Sequence, residues 1–252
     1  MEIGKAGPPY LFRYRSNNLD RLISEITESY IYFPNNEQLN DPYDANYKML
    51  KFSEDENELQ KLFYLLFLEA DNESKSFIQR KFENKPKDLL ELLKKMAPHF
   101  IAKYGIACFT LSPINIMTWA MYSSNHEGVC IQYNMQYDEV FFNDIRPIDY
   151  VERFTYVDFA PATKPLDFLE IFYKKLKLWE NEYELRLLKE TSGRHYLNPE
   201  SIRSIAFGLR CKELFKNEVI SSVHKVHPHI KFYDTKILED TYGLEFREWI
   251  SK

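Results

Sequence analysis

The sequence predicts an α+β fold in which a central, mostly antiparallel sheet carries an inserted helical segment. Three observations lead there. Short strand-like runs are scattered along the chain, without the strict strand–helix alternation of a doubly wound α/β protein. The stretch from Glu54 to about Tyr104 is densely charged and has helical periodicity. No linker, repeat or low-complexity segment divides the chain, so residues 1–252 read as one domain with a helical insert at about 54–104.

The elements follow in order. Tyr10 to Ser16 alternates apolar and polar residues and reads as a first strand. Asn17 or Asn18 caps a helix from Leu19 to about Ser29, with Leu19, Leu22, Ile23 and Ile26 on one face. Tyr30–Phe33 is a short strand stopped by Pro34, and Leu39 to Asp44 is a polar turn pinned by Pro42. Breaks near Asp71-Asn72 and Lys85-Pro86 divide the insert into two or three helices, and Leu59, Leu62, Phe63, Leu66 and Phe67 form an apolar stripe. Strands are expected at Gly105–Leu111, Gly128–Tyr133, Asp149–Val157, Glu182–Leu188, Ile202–Phe207, Ile230–Tyr233 and Leu244–Trp249. Helices are expected at Met117–Tyr122, Phe168–Leu178 and about Cys211–Val223.

Composition narrows the function classes. With 44% hydrophobic residues the chain can bury a sizeable core. Only 7 glycines are present, and no Walker, GxGxxG, GxSxG or HExxH pattern occurs. The net charge of −5 implies no global grip on nucleic acid, although a local basic patch is compatible with it. Three widely spaced cysteines outside any CxxC pattern suggest neither a zinc ribbon nor a disulfide framework. Residues 1–9 have no apolar signal core, and no apolar run approaches the ~18 residues of a membrane span. A reducing cytoplasm is the expected location, with no membrane partner.

Five residue groups carry candidate chemistry. Glu182, Glu184 and Arg186 lie at i, i+2 and i+4, so a strand would project all three from one face and turn Tyr183, Leu185 and Leu187 into the core. Adjacent carboxylates repel, which tends to raise one pKa and ready it for acid–base or cation-stabilising work. Arg186 would orient one of them. A solvated strand face is the plainer alternative. Arg13 and Arg15 flank Tyr14 on the first strand, as anion-binding forks or as another solvated face. Asn40 and Asp41 open a turn, running to Asp44, that either is structural or orients a ligand or a catalytic arginine. Trp119 and Tyr122, one helical turn apart, either wall a pocket for a planar ring or pack in the core. The fifth group, His224, His227 and His229, has a superficially metal-like spacing that nothing nearby completes, so no metal is expected. Cys108 and Cys130 read as buried small hydrophobes.

The ordered motifs resemble a widespread family of bacterial proteins of unknown function. They are Leu11-Phe12-Arg13-Tyr14-Arg15-Ser16, Asn40-Asp41-Pro42-Tyr43-Asp44, Trp119-x-x-Tyr122 with Gly128-Val129-Cys130-Ile131, Lys175-x-x-x-Trp179-x-x-Glu182-x-Glu184-x-Arg186, and Phe207-Gly208-Leu209-Arg210. Thr118 stands between Met117 and Trp119 where the family has Met-Trp. The resemblance covers about residues 10–235 and implies that the polar motif residues share one site.

A second, weaker similarity is to ADP-ribosyltransferases. It implies NAD as substrate and no metal. Arg13 would hold NAD, an aromatic such as Trp119 or Tyr122 would stack on nicotinamide, and Glu184, with Glu182, would be the late catalytic carboxylate. The Ser-Thr-Ser element usual in that fold is not evident here. The implied activity is of toxin or anti-phage effector type, acting on a nucleic acid or a protein. A nucleotide- or metabolite-sensing module without turnover is the alternative from another class. A metal-dependent nuclease using Asp41, Asp44 and Glu184 is the third.

Overall fold

A computed structural model describes residues 9–160, 162–164 and 166–249. The N-terminal segment 1–8, expected to lack a signal core, lies outside the described residues. In chain order the elements are β1 (Tyr10–Arg15), α1 (Leu19–Thr27), β2 (Tyr30–Phe33), β3 (Leu50–Phe52), α2 (Glu56–Glu69), α3 (Asn72–Phe82), α4 (Pro86–Ala102), β4 (Gly105–Thr110), α5 (Ile116–Tyr122) and β5 (Val129–Asn134). Then come α6 (Glu139–Phe142), β6 (Arg146–Pro147), β7 (Asp149–Val151), β8 (Val157–Phe159), β9 (Lys174–Leu176), β10 (Glu184–Lys189), β11 (Gly193–Tyr196), β12 (Ile202–Phe207), α7 (Glu213–Val226), β13 (Lys231–Ile237) and β14 (Leu244–Glu248).

The fold is α+β. Eight strands form one sheet in the order β14-β13-β12-β5-β1-β4-β10-β6, antiparallel throughout except for the parallel β12–β13 pair. Side-chain caps set the helix starts. Asn18 accepts from Arg21 N at α1, Asp55 from Glu58 N at α2, Asp71 from Ser74 N at α3, and Asn115 from Met117 N and Thr118 N at α5. Pro86 opens α4, where its missing N–H costs nothing. Among the described residues, no helix is long and apolar enough to cross a membrane.

Directly paired residues of an antiparallel sheet point to the same side, so register separates the two faces. One face carries Leu11, Ile131, Phe109, Leu187, Ile205 and Phe207 and is covered by α1 and α7 through Leu22, Ile26, Val219 and Val223. The other face has two separate covers. At one end Tyr14, Cys130 and Ala206 pack under Trp119 of α5. At the other end Ile106, Met49 and Leu50 pack with Ala97 and Ile101 of α4 and with Phe168, Ile171 and Phe172. The sheet is uncovered between them.

Three expectations need correction. The strand expected at Asp149–Val157 is two strands, both outside the main sheet. β7 pairs with β9 and β8 pairs with β3, because the exposed Glu152 and Arg153 break the run. The helix expected at Phe168–Leu178 is a 3-10 turn over Asp167–Tyr173, then β9, then a second 3-10 turn over Lys177–Glu182. Phe168 and Ile171 are three residues apart and Ile171 to Tyr173 are buried in succession, a pattern that the three-residue period and a following strand enclose better than an α-helix. The stripe expected on α2 is only half buried. Leu59 and Leu62 face inward, whereas Leu66 is exposed.

Candidate functional site

The uncovered zone is deepened by a split in the sheet. β1 pairs with β5 over six residues, and β4 with β10 over six. Between β1 and β4 only Phe12 and Thr110 are in register. Beyond that point the strands part, and Ile106 N donates to Pro34 O, at the end of β2, instead of to β1. A cleft of about 330 Å³ occupies the gap, within the size range of small-molecule sites. Its walls include Arg13, Tyr14, Asn40, Tyr122, Glu182, Glu184 and Arg186, all named from sequence, but neither Asp41 nor Trp119.

The polar wall is a connected ion network. Arg186, fully buried on β10, donates from Nε to Glu184 Oε1 at 2.5 Å, and from Nη1 to Asp44 Oδ1 at 2.6 Å and to Phe172 O at 2.7 Å. Its Nη2 completes a two-point pair with Asp44 Oδ2. Lys175 Nζ lies 2.8 Å from Glu184 Oε2 and also pairs with Glu182 Oε2. Tyr122 Oη donates to Glu182 Oε1 at 2.5 Å and accepts from Asn40 Nδ2 at 2.9 Å. Thr110 Oγ1 donates to Glu182 O at 2.8 Å, fixing the backbone beneath that carboxylate.

The sequence expectation for the carboxylates was a strand face. Instead, Glu182 ends a 3-10 turn and Tyr183 sits in the left-handed region at φ 48°. That reversal breaks the alternation, so Tyr183 is exposed rather than in the core. Both carboxylates then reach the same Lys175 from different backbone geometries.

Repulsion does not raise the Glu184 pKa. Burial alone would raise Glu184, but Arg186 and then Lys175 outweigh it and hold the group at about 2. Burial works against the charge on Lys175 as well, and Glu184 and Glu182 more than offset it, so its pKa is raised. Burial first, then the bond to Glu182, pushes the Tyr122 phenol up. Burial, followed by the charge of Glu184, does the same to the Cys108 thiol on the cleft floor. The cleft therefore presents the ionised Glu184 carboxylate beside neutral phenol and thiol groups.

Other candidates are placed differently. Arg13 lines the cleft, but its side chain leaves the opposite sheet face from Glu184. Phe12, Thr110 and Glu184 are in register on one face, and Arg13 is the next residue along β1. Its Nη2 donates to Tyr32 O at 2.8 Å, its guanidinium lies over the Phe109 ring, and Nη1 is enclosed with no partner among the described residues. Arg15 is paired with the buried Glu25.

Trp119 does not reach the cleft. It is fully buried, meets Tyr14 edge-on at 5.1 Å, and donates from Nε1 to Pro113 O at 2.8 Å. Core packing explains it, so the stacking role expected for it is withdrawn. Asp41 faces away too. Its Oδ1 accepts from Tyr43 N at 2.9 Å in an Asx turn, and it lines a separate, mostly apolar hollow with Tyr43 and Met49. Within this loop Asp41 shapes the turn and Asp44 enters the network. His227 and His229 accept or donate locally, to Ser29 Oγ and Ile202 O, and no group of His, Cys, Asp and Glu among the described residues is arranged to hold a metal ion.

Lys175 and Asp44 carry the network; from sequence Asp44 enters only the nuclease reading, and Lys175 has no assigned role. Lys175 opens the motif that ends at Arg186. Its place in that motif, seven residues before Glu182, was the available signal.

The chain matches no family model, no curated protein and no solved structure.

Proposed function

We propose that the cleft binds NAD and breaks the bond between nicotinamide and ribose, as an ADP-ribosyltransferase-like enzyme acting on a macromolecule. One observation carries this reading: Asp44, Glu182 and Glu184, the carboxylates on the cleft wall, are all ion-paired with Arg186 or Lys175. Hydrolysis of an ordinary glycoside by a carboxylate pair needs one of the two protonated to supply the leaving oxygen with a proton. Nicotinamide needs none. It departs with the C–N bonding electrons, and its ring nitrogen passes from cationic to neutral. Positive charge then grows on the ribose, and a fixed carboxylate beside it lowers the barrier electrostatically.

Within this reading Glu182 is the carboxylate at the reacting carbon. It is the more exposed of the two glutamates, with 13% of its side chain accessible against 5% for Glu184, and Tyr122 holds it from the cleft side. Glu184 is a positioning residue, since it is the more deeply buried and both of its oxygens are held by cations, whereas one oxygen of Glu182 is held only by the neutral Tyr122 hydroxyl. The Arg13 guanidinium, enclosed with Nη1 unpartnered among the described residues, adds positive charge to the field at the diphosphate without touching it.

The saturation of Glu184 also favours a second reading, an NAD- or nucleotide-sensing module without turnover. Purified protein incubated with NAD separates the two. Nicotinamide release is the outcome expected here. A raised melting temperature with NAD recovered intact supports the sensor, because ligand binding stabilises the native state by mass action. Neither release nor stabilisation, with extracts supplying acceptors, contradicts both readings.

A further inference from the structure

From Thr110 to His126 the chain carries no Asp, Glu, Lys or Arg, in a protein whose residues are 28% charged. Uncharged stretches of this kind usually sit in a core. This one forms a rim of the cleft, and Leu111, Ile114, Ile116, Met117 and Met121 are each 43–60% exposed. Helix geometry sets the arrangement. Thr118 and Tyr122, at i and i+4 on α5, line the cleft. Met117 and Met121 form the adjacent row, turned to solvent.

We propose that this face of α5 docks a protein acceptor through an apolar segment of that protein, in preference to a nucleic acid. The proposal rests on the NAD reading above and names the class of its acceptor. The face is continuous with the reactive cleft. Asn115, the cap of α5, donates from Nδ2 to Asn181 O, in the turn that presents Glu182. That turn adds Leu178, 83% exposed, to the same rim. On the other side Ile116 leads into a cavity of about 480 Å³ shared with Leu209, Ile237, Tyr242 and Leu244, large enough for an apolar side chain.

Charge favours the same occupant. A nucleic acid is gripped by several Lys or Arg side chains that neutralise phosphates. The segment from Thr110 to His126 offers none, Lys177 beside Leu178 is paired with Glu152, Arg210 is the one cation on the neighbouring cavity among the described residues, and a net charge of −5 opposes a polyanion. Methionine is also suited to the task, since its flexible, polarizable side chain adapts to varied apolar partners.

The test uses the 252-residue protein, NAD radiolabelled in its adenylate phosphate, and a cell extract, followed by protease or nuclease digestion. The expected label survives nuclease and is lost to protease. The double variant Met117→Glu/Met121→Glu lowers labelling at least tenfold, while nicotinamide release in buffer and the melting midpoint stay as in the wild type. Met117→Leu/Met121→Leu retains labelling. Nuclease-sensitive label, nicotinamide release without any macromolecular label, or full labelling by the glutamate variant overturns the acceptor assignment and leaves the NAD reading standing. Absence of nicotinamide release from the wild type overturns the NAD reading and the acceptor assignment with it.

Discussion

Arg186 on β10 and Asp44 in the loop before the helical insert, 142 residues apart in sequence, form a buried two-point ion pair. A guanidinium with no solvent contact depends on its carboxylate partners for its charge, and Asp44 is one of two. Removing one partner of a buried pair costs about 3–5 kcal/mol, because the other charge stays uncompensated. Asp44→Asn is expected to lower unfolding stability by that order in urea titrations. It also frees the 39–44 loop that walls the cleft.

Glu184 gives the protein an acid-side stability slope. Its carboxyl is held at about 2, against 4.5 for the unperturbed group. A depressed carboxylate stabilises the fold fully above its unfolded value and loses that contribution as pH falls through the folded one. The wild type should therefore lose on the order of 3 kcal/mol between about pH 5 and pH 2 through this group, which is nearly fully buried. Glu184→Gln, compared by denaturant titration at a series of pH values, is expected to flatten that slope.

Lys175 pairs with both glutamates and helps to hold the Glu184 pKa down. In Lys175→Met, Glu184 loses one of the two cations that hold its pKa down, and Glu182 loses its ion-pair partner. The acid limb of the pH profile for nicotinamide release should move toward neutral pH, since Glu184 then takes up its proton at higher pH and the network that positions Glu182 loses a charge. A purely structural lysine would lower activity at every pH without moving the limb.

Trp119 belongs to the fold and not to the ligand. Trp119→Ala empties a fully buried site and is expected to cost about 3–5 kcal/mol. Trp119→Phe, less disruptive, should leave the apparent affinity for NAD unchanged, as measured by titration of the folded fraction.

Much of the fold was legible. The breaks at Asp71 and Pro86 divide the insert where its helices end, and alternating or apolar runs mark β1, β4, β5, β12 and β13. Local chemistry decides those features, through caps, proline and side-chain period. Reading failed where tertiary structure decides. Tyr183 adopts a left-handed backbone that nothing in its type announces, and this one residue turns a supposed strand face into two converging carboxylates. The split between β1 and β4 was equally hidden, because strand pairing is set by distant segments. Arg13 and Glu184 were rightly placed at one cleft, yet their side chains come from opposite sheet faces, which only register reveals. Trp119 could not be told from a pocket wall, since a buried aromatic and a stacking aromatic have the same local pattern.

The most direct test is nicotinamide release by the wild type against Glu182→Gln at neutral pH, with unfolding stability measured in parallel. Removing one preorganised charge at a developing cation typically costs about 10²–10³ in rate. A fall in kcat of at least about 100-fold, with KM and stability little changed, is the predicted result. A variant that releases nicotinamide as fast as the wild type contradicts the account.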